Sequence, residues 1–71
     1  MDIFVKLIDR QKNGPYSIYE IIIDGIGRIQ GVSEQDCRNM RCSENDYVEN
    51  CALDIAENKG FKRSNCTVIF V

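Results

Sequence analysis

Four cysteines, at positions 37, 42, 51 and 66, offer the widest range of chemistry in this chain of 71 residues. Zinc fingers and ribbons use two Cys-x-x-Cys pairs, because each pair places two thiolates on one tight turn. Successive cysteines here are separated by four, eight and fourteen residues, so that pattern is missing. We favour free thiols and no metal site; the alternatives are a zinc site or one disulfide, from Cys37 to Cys42 or to Cys66.

Enzymatic chemistry has few candidate residues. The chain contains no histidine, which removes the side chain that most often acts as a general acid or base near neutral pH. The carboxylates at positions 46, 49, 54 and 57 fall on the solvent side of a predicted helix, where nothing raises their pKa toward neutrality. Gly25-Ile26-Gly27 lacks the third glycine and the following helix of a dinucleotide-binding loop. We therefore expect no enzyme, no catalytic residue and no cofactor.

The composition is that of one folded domain, which we assign to residues 1–71. Apolar residues make up 44% of the chain and charged residues 28%, which is too apolar for a disordered protein. The nine basic residues are dispersed and the net charge is −2, so direct binding of nucleic acid is not expected. No apolar run is long enough to cross a membrane, and no export signal is recognisable at the start, so we expect a cytoplasmic protein.

Short apolar runs predict four strands, over residues 3–8, 16–23, 26–32 and 66–71. Their β-branched and aromatic residues favour strands over helices. Asp24-Gly25 joins the second and third strands, because this pair readily adopts the positive φ angles of a tight hairpin. Gly27 and Gly31 predict a bulge or an early end in the third strand. Residues 9–15 are expected to form a polar loop.

One long helix is predicted between the third and fourth strands. Ser43 can cap its free amide groups, and Gly60 supplies the left-handed residue that ends it. Ser33 can cap a short helical turn before it. The predicted fold is α+β, with the order β-β-β-α-β: an antiparallel sheet of three to four strands and one long helix packed on one face.

The predicted strands are apolar on both faces, although one helix can cover only one of them. An apolar patch left exposed typically marks an interaction site. The candidate residues on the less covered face are Phe4, Ile8, Tyr16 and Ile18. Two alternatives stay open: residues 33–42 and 9–15 fold over the second face, or the strand assignments are shifted by one residue.

The predicted helix carries a second candidate surface. Its apolar side contains Tyr47, Val48, Cys51, Ala52 and Ile55, whereas the candidate partner-binding residues are Asp46, Glu49, Leu53, Asp54 and Glu57. Five acids and no base lie between Ser43 and Glu57, so this surface would steer the domain toward a basic partner. Leu53 would be an apolar anchor among the charges. The alternative is a solvated helix face with no partner.

The order of the elements resembles that of very small phage-encoded anti-CRISPR proteins. The similar features are a strand ending in Asp24-Gly25, the strands on either side of it, a helix from Ser43 to Lys59 and a final strand. The resemblance covers most of the chain as a pattern and includes no diagnostic motif, so no functional residue is carried over. It implies a stand-alone protein that blocks a larger host complex, often at a basic surface that normally holds nucleic acid.

We therefore predict a small non-enzymatic protein-binding module. The resemblance implies that it is an anti-defence inhibitor that acts in the cytoplasm of a phage-infected host cell. Its partner would be a protein with a basic surface, with no direct contact to nucleic acid or membrane. One alternative is a self-associating structural subunit, a homodimer formed through the apolar sheet face. The other is a regulatory protein that depends on its thiols, or on zinc, at Cys37, Cys42, Cys51 and Cys66.

Overall fold

The fold is a four-stranded sheet with two helices, seen in a computed structural model that describes residues 1–10 and 16–71. The strands are β1 (Asp2–Arg10), β2 (Tyr16–Ile23), β3 (Ile26–Ser33) and β4 (Thr67–Phe70). The helices are α1 (Glu34–Met40) and α2 (Glu44–Asn58), and a short 3-10 turn covers Arg63–Asn65. The strand order across the sheet is β3-β2-β1-β4. The predicted α+β class, its strands and its long helix are confirmed.

The sheet is mixed, whereas the sequence predicted an antiparallel one. β1 pairs with β2 and β2 with β3 in antiparallel fashion, but β4 runs parallel to β1. The cause is the connection from β3 to β4, which contains both helices. A helical crossover carries the chain across the sheet and returns it in the direction of β3, which is also the direction of β1.

The hairpin between β2 and β3 forms where Asp-Gly predicted it. Asp24 and Gly25 have φ angles of 52° and 76°, and Ile23 pairs with Ile26 across the turn. Pairing then continues in regular register to the end of β3, so the prediction that its glycines cause a bulge or an early end is wrong. The irregularity lies instead in β1, between Leu7 and Asp9.

β1 is longer than predicted. Asp9 and Arg10 were expected in a polar loop, but they pair with Ile18 and Ser17 of β2. Pairing with a strongly strand-forming neighbour outweighs the low strand propensity of these two residues. The rest of the expected loop, residues 11–15, lies outside the described residues.

Serine caps begin both helices. Ser33 accepts a hydrogen bond from the Asp36 amide at 3.0 Å, and the Asp36 side chain accepts one from the Ser33 amide, which completes a capping box. Ser43 accepts a hydrogen bond from the Asp46 amide at 3.1 Å. Gly60, with φ of 97°, follows the end of α2. The predicted start and end of the long helix are confirmed.

The core lies between one face of the sheet and α2. Its fully buried apolar residues are Ile3, Val5, Tyr19, Ile21, Ile23, Val32, Val48, Ala52 and Ala56. α2 contributes small residues at the closest approach, while Tyr47, Cys51 and Ile55 pack at the margin of this core. Neither helix, nor any other helix in the described part of the chain, is long and apolar enough to cross a membrane.

Candidate interaction surface

One face of the sheet carries apolar side chains that the helices do not cover, and we call it the open face. The strand register places its residues together: Phe4 lies beside Ile22 and Ile69, and Ile18 lies beside Gly31. The apolar members of the open face that the register places are Phe4, Tyr16, Ile18, Ile22, Ile29 and Ile69. They come from all four strands.

Solvent exposure distinguishes the centres of the two faces. Ile3 and Ile21 on the helix side are 0% exposed, whereas on the open face Phe4 is 39% exposed and Tyr16 49%. At the margins of the helix side, Leu7, Ile26 and Phe70 are exposed as well. Ile18, Ile22 and Ile69 are half-buried by their neighbours. Of the four residues named from the sequence for this face, Phe4 lies at one end and Tyr16 and Ile18 at the other. Ile8 is 51% exposed and lies at the irregularity of β1, where it has no strand partner.

Ile29 belongs to the open face and was missed as a candidate. It is 60% exposed and pairs with Glu20 of β2. Its strand neighbours on the same face, Gly27 and Gly31, have no side chains, so Ile29 projects alone from β3. Successive side chains of a strand point to opposite faces, so the position of Ile29 within the predicted strand 26–32 could have placed it on this face.

The open face also has a polar centre. Lys6 and Glu20 lie directly opposite each other in the pairing of β1 with β2. The Glu20 carboxylate lies across Gly27, with one oxygen 2.8 Å from the position that a Cβ atom would occupy there. A ligand for this face would therefore need apolar groups at both ends and a polar or charged group between them.

The helices do not fold over the open face. α1 packs against α2 and β3, and Cys37 from α1 packs against the core on the helix side. This arrangement excludes the alternative in which the segment 33–42 covers the second face. The same alternative also placed residues 9–15 over the second face. Asp9 and Arg10 are paired in β1 instead, and residues 11–15 lie outside the described residues.

The acidic side of α2 is partly neutralised by a residue outside the helix. Arg63, in the 3-10 turn, forms ion pairs of 2.8 Å with Asp54 and Glu57, and it donates a hydrogen bond of 2.8 Å to the Asn50 side chain. The hydrogen bonds to Glu57 and Asp54 raise the pKa of Arg63. Among the described residues, only Asp46 and Glu49 of the five predicted acids form no ion pair.

Leu53 does not stand among exposed charges. It is half-buried and packs against the core, which places it at the edge of the buried side of α2. The predicted apolar side of the helix did not include Ala56, which is fully buried. The side of α2 that contacts the sheet is therefore centred closer to Leu53, and farther from Tyr47 and Cys51, than predicted. Leu53 is therefore a packing residue in this fold and a poor anchor for a partner.

A polar cluster that the sequence did not reveal ties α2 to the sheet. The Glu44 carboxylate accepts hydrogen bonds from the Tyr19 hydroxyl, from the Ser17 hydroxyl at 3.0 Å and from Arg10 at 3.1 Å. Glu44 also occupies the first turn of α2, where a negative charge interacts favourably with the helix dipole. Glu44, the first acid of the helix, is therefore partly buried and paired with Arg10, so it adds little to an acidic surface.

The cluster shifts the pKa of both its central groups. Burial alone would raise the pKa of Glu44, but the hydrogen bonds from Tyr19 and Ser17 and the charge of Arg10 outweigh it and lower that pKa. Burial, followed by the hydrogen bond to Glu44, raises the pKa of Tyr19 to about 12. The favoured state of the cluster is thus a charged carboxylate and a neutral phenol.

We expect the cluster to make the free energy of unfolding fall at both ends of the pH scale. The Glu44 contribution is present above its ordinary pKa of 4.5 and is lost as the pH falls further. The Tyr19 contribution is present below its ordinary pKa of 10.0 and is lost as the pH rises toward 12. Urea unfolding across this range would measure both losses, and Tyr19→Phe should reduce the alkaline one. The remainder comes from Cys37, Tyr47 and Cys51, because burial raises the pKa of each. An alkaline loss that is unchanged in Tyr19→Phe would contradict this assignment.

All four cysteines are free thiols and half-buried. In the described part of the chain, no three cysteine, aspartate or glutamate side chains are arranged to hold a metal ion.

Comparison with protein-family models, with curated proteins and with solved structures finds no match for this chain.

Proposed function

We propose that this chain is a non-enzymatic protein-binding module whose main contact surface is the open face. The observation that carries the proposal is a sheet face that the helices leave uncovered, on which Phe4, Tyr16 and Ile29 from three strands are exposed. Burial of apolar surface contributes about 25 cal/mol per Å². An exposed face of this kind therefore supplies a driving force for association that a fully polar sheet surface lacks.

The second part of the proposal is a partner with a basic surface. Asp46 and Glu49 are exposed near the start of α2 without an ion-pair partner in the described residues. The charge is smaller than five acids in one helix would provide, so it would affect association rate more than affinity. As the resemblance implies, we propose an anti-defence inhibitor that acts in the cytoplasm of a host cell on a larger protein complex.

A self-associating subunit is the alternative that a specific observation favours. β3 lies at the edge of the sheet with eight residues, and Ile29 projects from it toward the open face. An edge strand has unpaired backbone groups that a second copy could extend into a larger sheet. Such a homodimer would use the same apolar residues as a foreign partner.

Ile29→Lys tests the proposal, with Met40→Lys as a matched control. Both residues are highly exposed, at 60% and 64%, but Met40 lies in α1 away from the open face. We expect Ile29→Lys to weaken partner binding at least about tenfold, because a lysine in an apolar interface must be desolvated or leave a gap. Met40→Lys should bind like the unmodified chain.

The measurement is quantitative capture by the tagged chain from a lysate of cells that naturally contain it, with sedimentation of the purified protein alongside. A protein retained by the unmodified chain and by Met40→Lys, and lost with Ile29→Lys, supports a foreign partner. A dimer that only Ile29→Lys dissociates, with no captured protein, supports self-association instead. Equal capture and equal sedimentation for all three chains would refute the role of the open face.

A further inference from the structure

The turn that ends α1 brings two cysteines together. Arg41 has a left-handed φ of 52°, its amide donates to the Arg38 carbonyl at 3.1 Å, and the Cys42 amide donates to the Cys37 carbonyl at 3.1 Å. These two hydrogen bonds define a Schellman motif. Side chains at the two positions that Cys37 and Cys42 occupy are frequently in contact in this motif.

A third thiol lies near this pair. Cys51 belongs to α2, which packs against α1, and both Cys37 and Cys51 are half-buried at the margin of the core. The charges of Cys37 and Cys42 act on Cys51, and the charge of Cys42 acts on Cys37. Cys66 lies apart from the group, where its thiol donates to the Lys62 carbonyl at 3.3 Å.

We propose that Cys37 and Cys42 form a reversible redox site that closes to a disulfide when it meets a small-molecule disulfide such as oxidised glutathione. The hydrogen bond between their backbones holds the two residues as neighbours, as the short Cα separation of a disulfide requires. The site lies in the helical layer, outside the open face, and it does not depend on the proposed function.

The oxidation is a thiol–disulfide exchange in two steps. One cysteine, as its thiolate, attacks a sulfur of oxidised glutathione; a mixed disulfide forms and one glutathione thiol leaves. The second cysteine then attacks the mixed disulfide and releases the other glutathione. One protein S–S bond replaces one glutathione S–S bond, the protein loses two electrons, and its two thiol protons end on the two glutathione molecules.

The surroundings of Cys37 disfavour its thiolate at neutral pH, which slows attack by this cysteine. Burial, followed by the charges of Cys42 and Glu44, raises the pKa of Cys37. Burial, followed by the charges of Asp54 and Asp36, raises the pKa of Cys51. Only the thiolate attacks a disulfide, so the rate of closure should increase with pH through the alkaline range.

The test is incubation of the folded chain with oxidised glutathione, followed by thiol titration and peptide mapping. We expect titratable thiols to fall from four to two and to return with dithiothreitol. Trypsin cuts after Arg38 and after Arg41, so a bond from Cys37 to Cys42 keeps two tryptic peptides joined. A further cut after Glu44 or Glu49 separates Cys42 from Cys51 and identifies which of them is bonded.

Single serine variants provide the controls. Cys42→Ser lacks one partner of the proposed bond, so it should keep its three remaining thiols or form only a mixed disulfide with glutathione. Cys66→Ser keeps both partners, so two of its three thiols should still be lost to the disulfide. Circular dichroism would confirm that both variants fold. Four thiols persisting in the folded, unmodified chain would overturn the proposal, and so would a mapped bond that joins Cys51 to either of the other two.

Discussion

We expect Ile21→Ala to remove about 2–5 kcal/mol from the free energy of unfolding. Ile21 is 0% exposed in a central strand and belongs to the core beneath α2. Alanine would leave a cavity between the sheet and the helix, since the backbone of a paired strand cannot collapse into it. A domain of this size has about 4–10 kcal/mol of stability in total, so the variant should be largely unfolded at moderate urea concentrations.

Ile29→Ala is the control for that prediction. The residue type and the change are the same, but Ile29 lies in the edge strand β3 and faces solvent on the open face. Its loss should change the free energy of unfolding by no more than about 0.5 kcal/mol. Urea unfolding followed by circular dichroism measures both variants. Similar losses for the two would mean that both faces of the sheet are buried.

The second large effect is expected for Glu44→Ala, at about 1.5–3 kcal/mol. The change removes the acceptor for the hydroxyls of Tyr19 and Ser17 and leaves Arg10 without its partner. Because Tyr19 is buried, its hydroxyl would lose its hydrogen bond without gaining full access to water. The contact that fixes the start of α2 on the sheet would be lost with it.

Glu34→Ala provides a control in an equivalent position. Glu34 is also the first residue of a helix after a serine cap, but the one ion pair it forms within residues 1–10 and 16–71 is an exposed one of 3.1 Å with Arg38. Such pairs contribute about 0.3–0.5 kcal/mol. Thermal unfolding of the two variants would distinguish the cases. Equal shifts in Tm would show that the inward-facing cluster adds nothing beyond helix capping.

Elements defined by neighbouring residues could be predicted from the sequence. The hairpin at Asp24-Gly25 and the helix start at Ser43 depend on backbone preferences within a few residues, and both form as expected. The two-sided apolar pattern of β2 likewise predicted that one helix would leave a face bare. These features need no information about distant parts of the chain.

Features that depend on distant contacts were not predictable in the same way. The parallel pairing of β4 with β1 joins residues more than sixty positions apart, and no local signal shows at which edge of the sheet the last strand pairs. Arg63 reaches Asp54 and Glu57 only because the 3-10 turn returns the chain beside α2. Glu44 looked like one more surface acid, since its partners lie in strands that the sequence alone does not place beside it.

Accessibility of the isoleucine methyl groups tests most directly whether one sheet face is bare. NMR of the dilute monomer with a soluble paramagnetic agent would measure this residue by residue. We expect strong broadening of the methyl signals of Ile8 and Ile29, and little broadening for Ile3, Ile21 and Ile23. Equal protection of Ile29 and Ile21 in a monomer would contradict an open face and remove the basis for the proposed binding function.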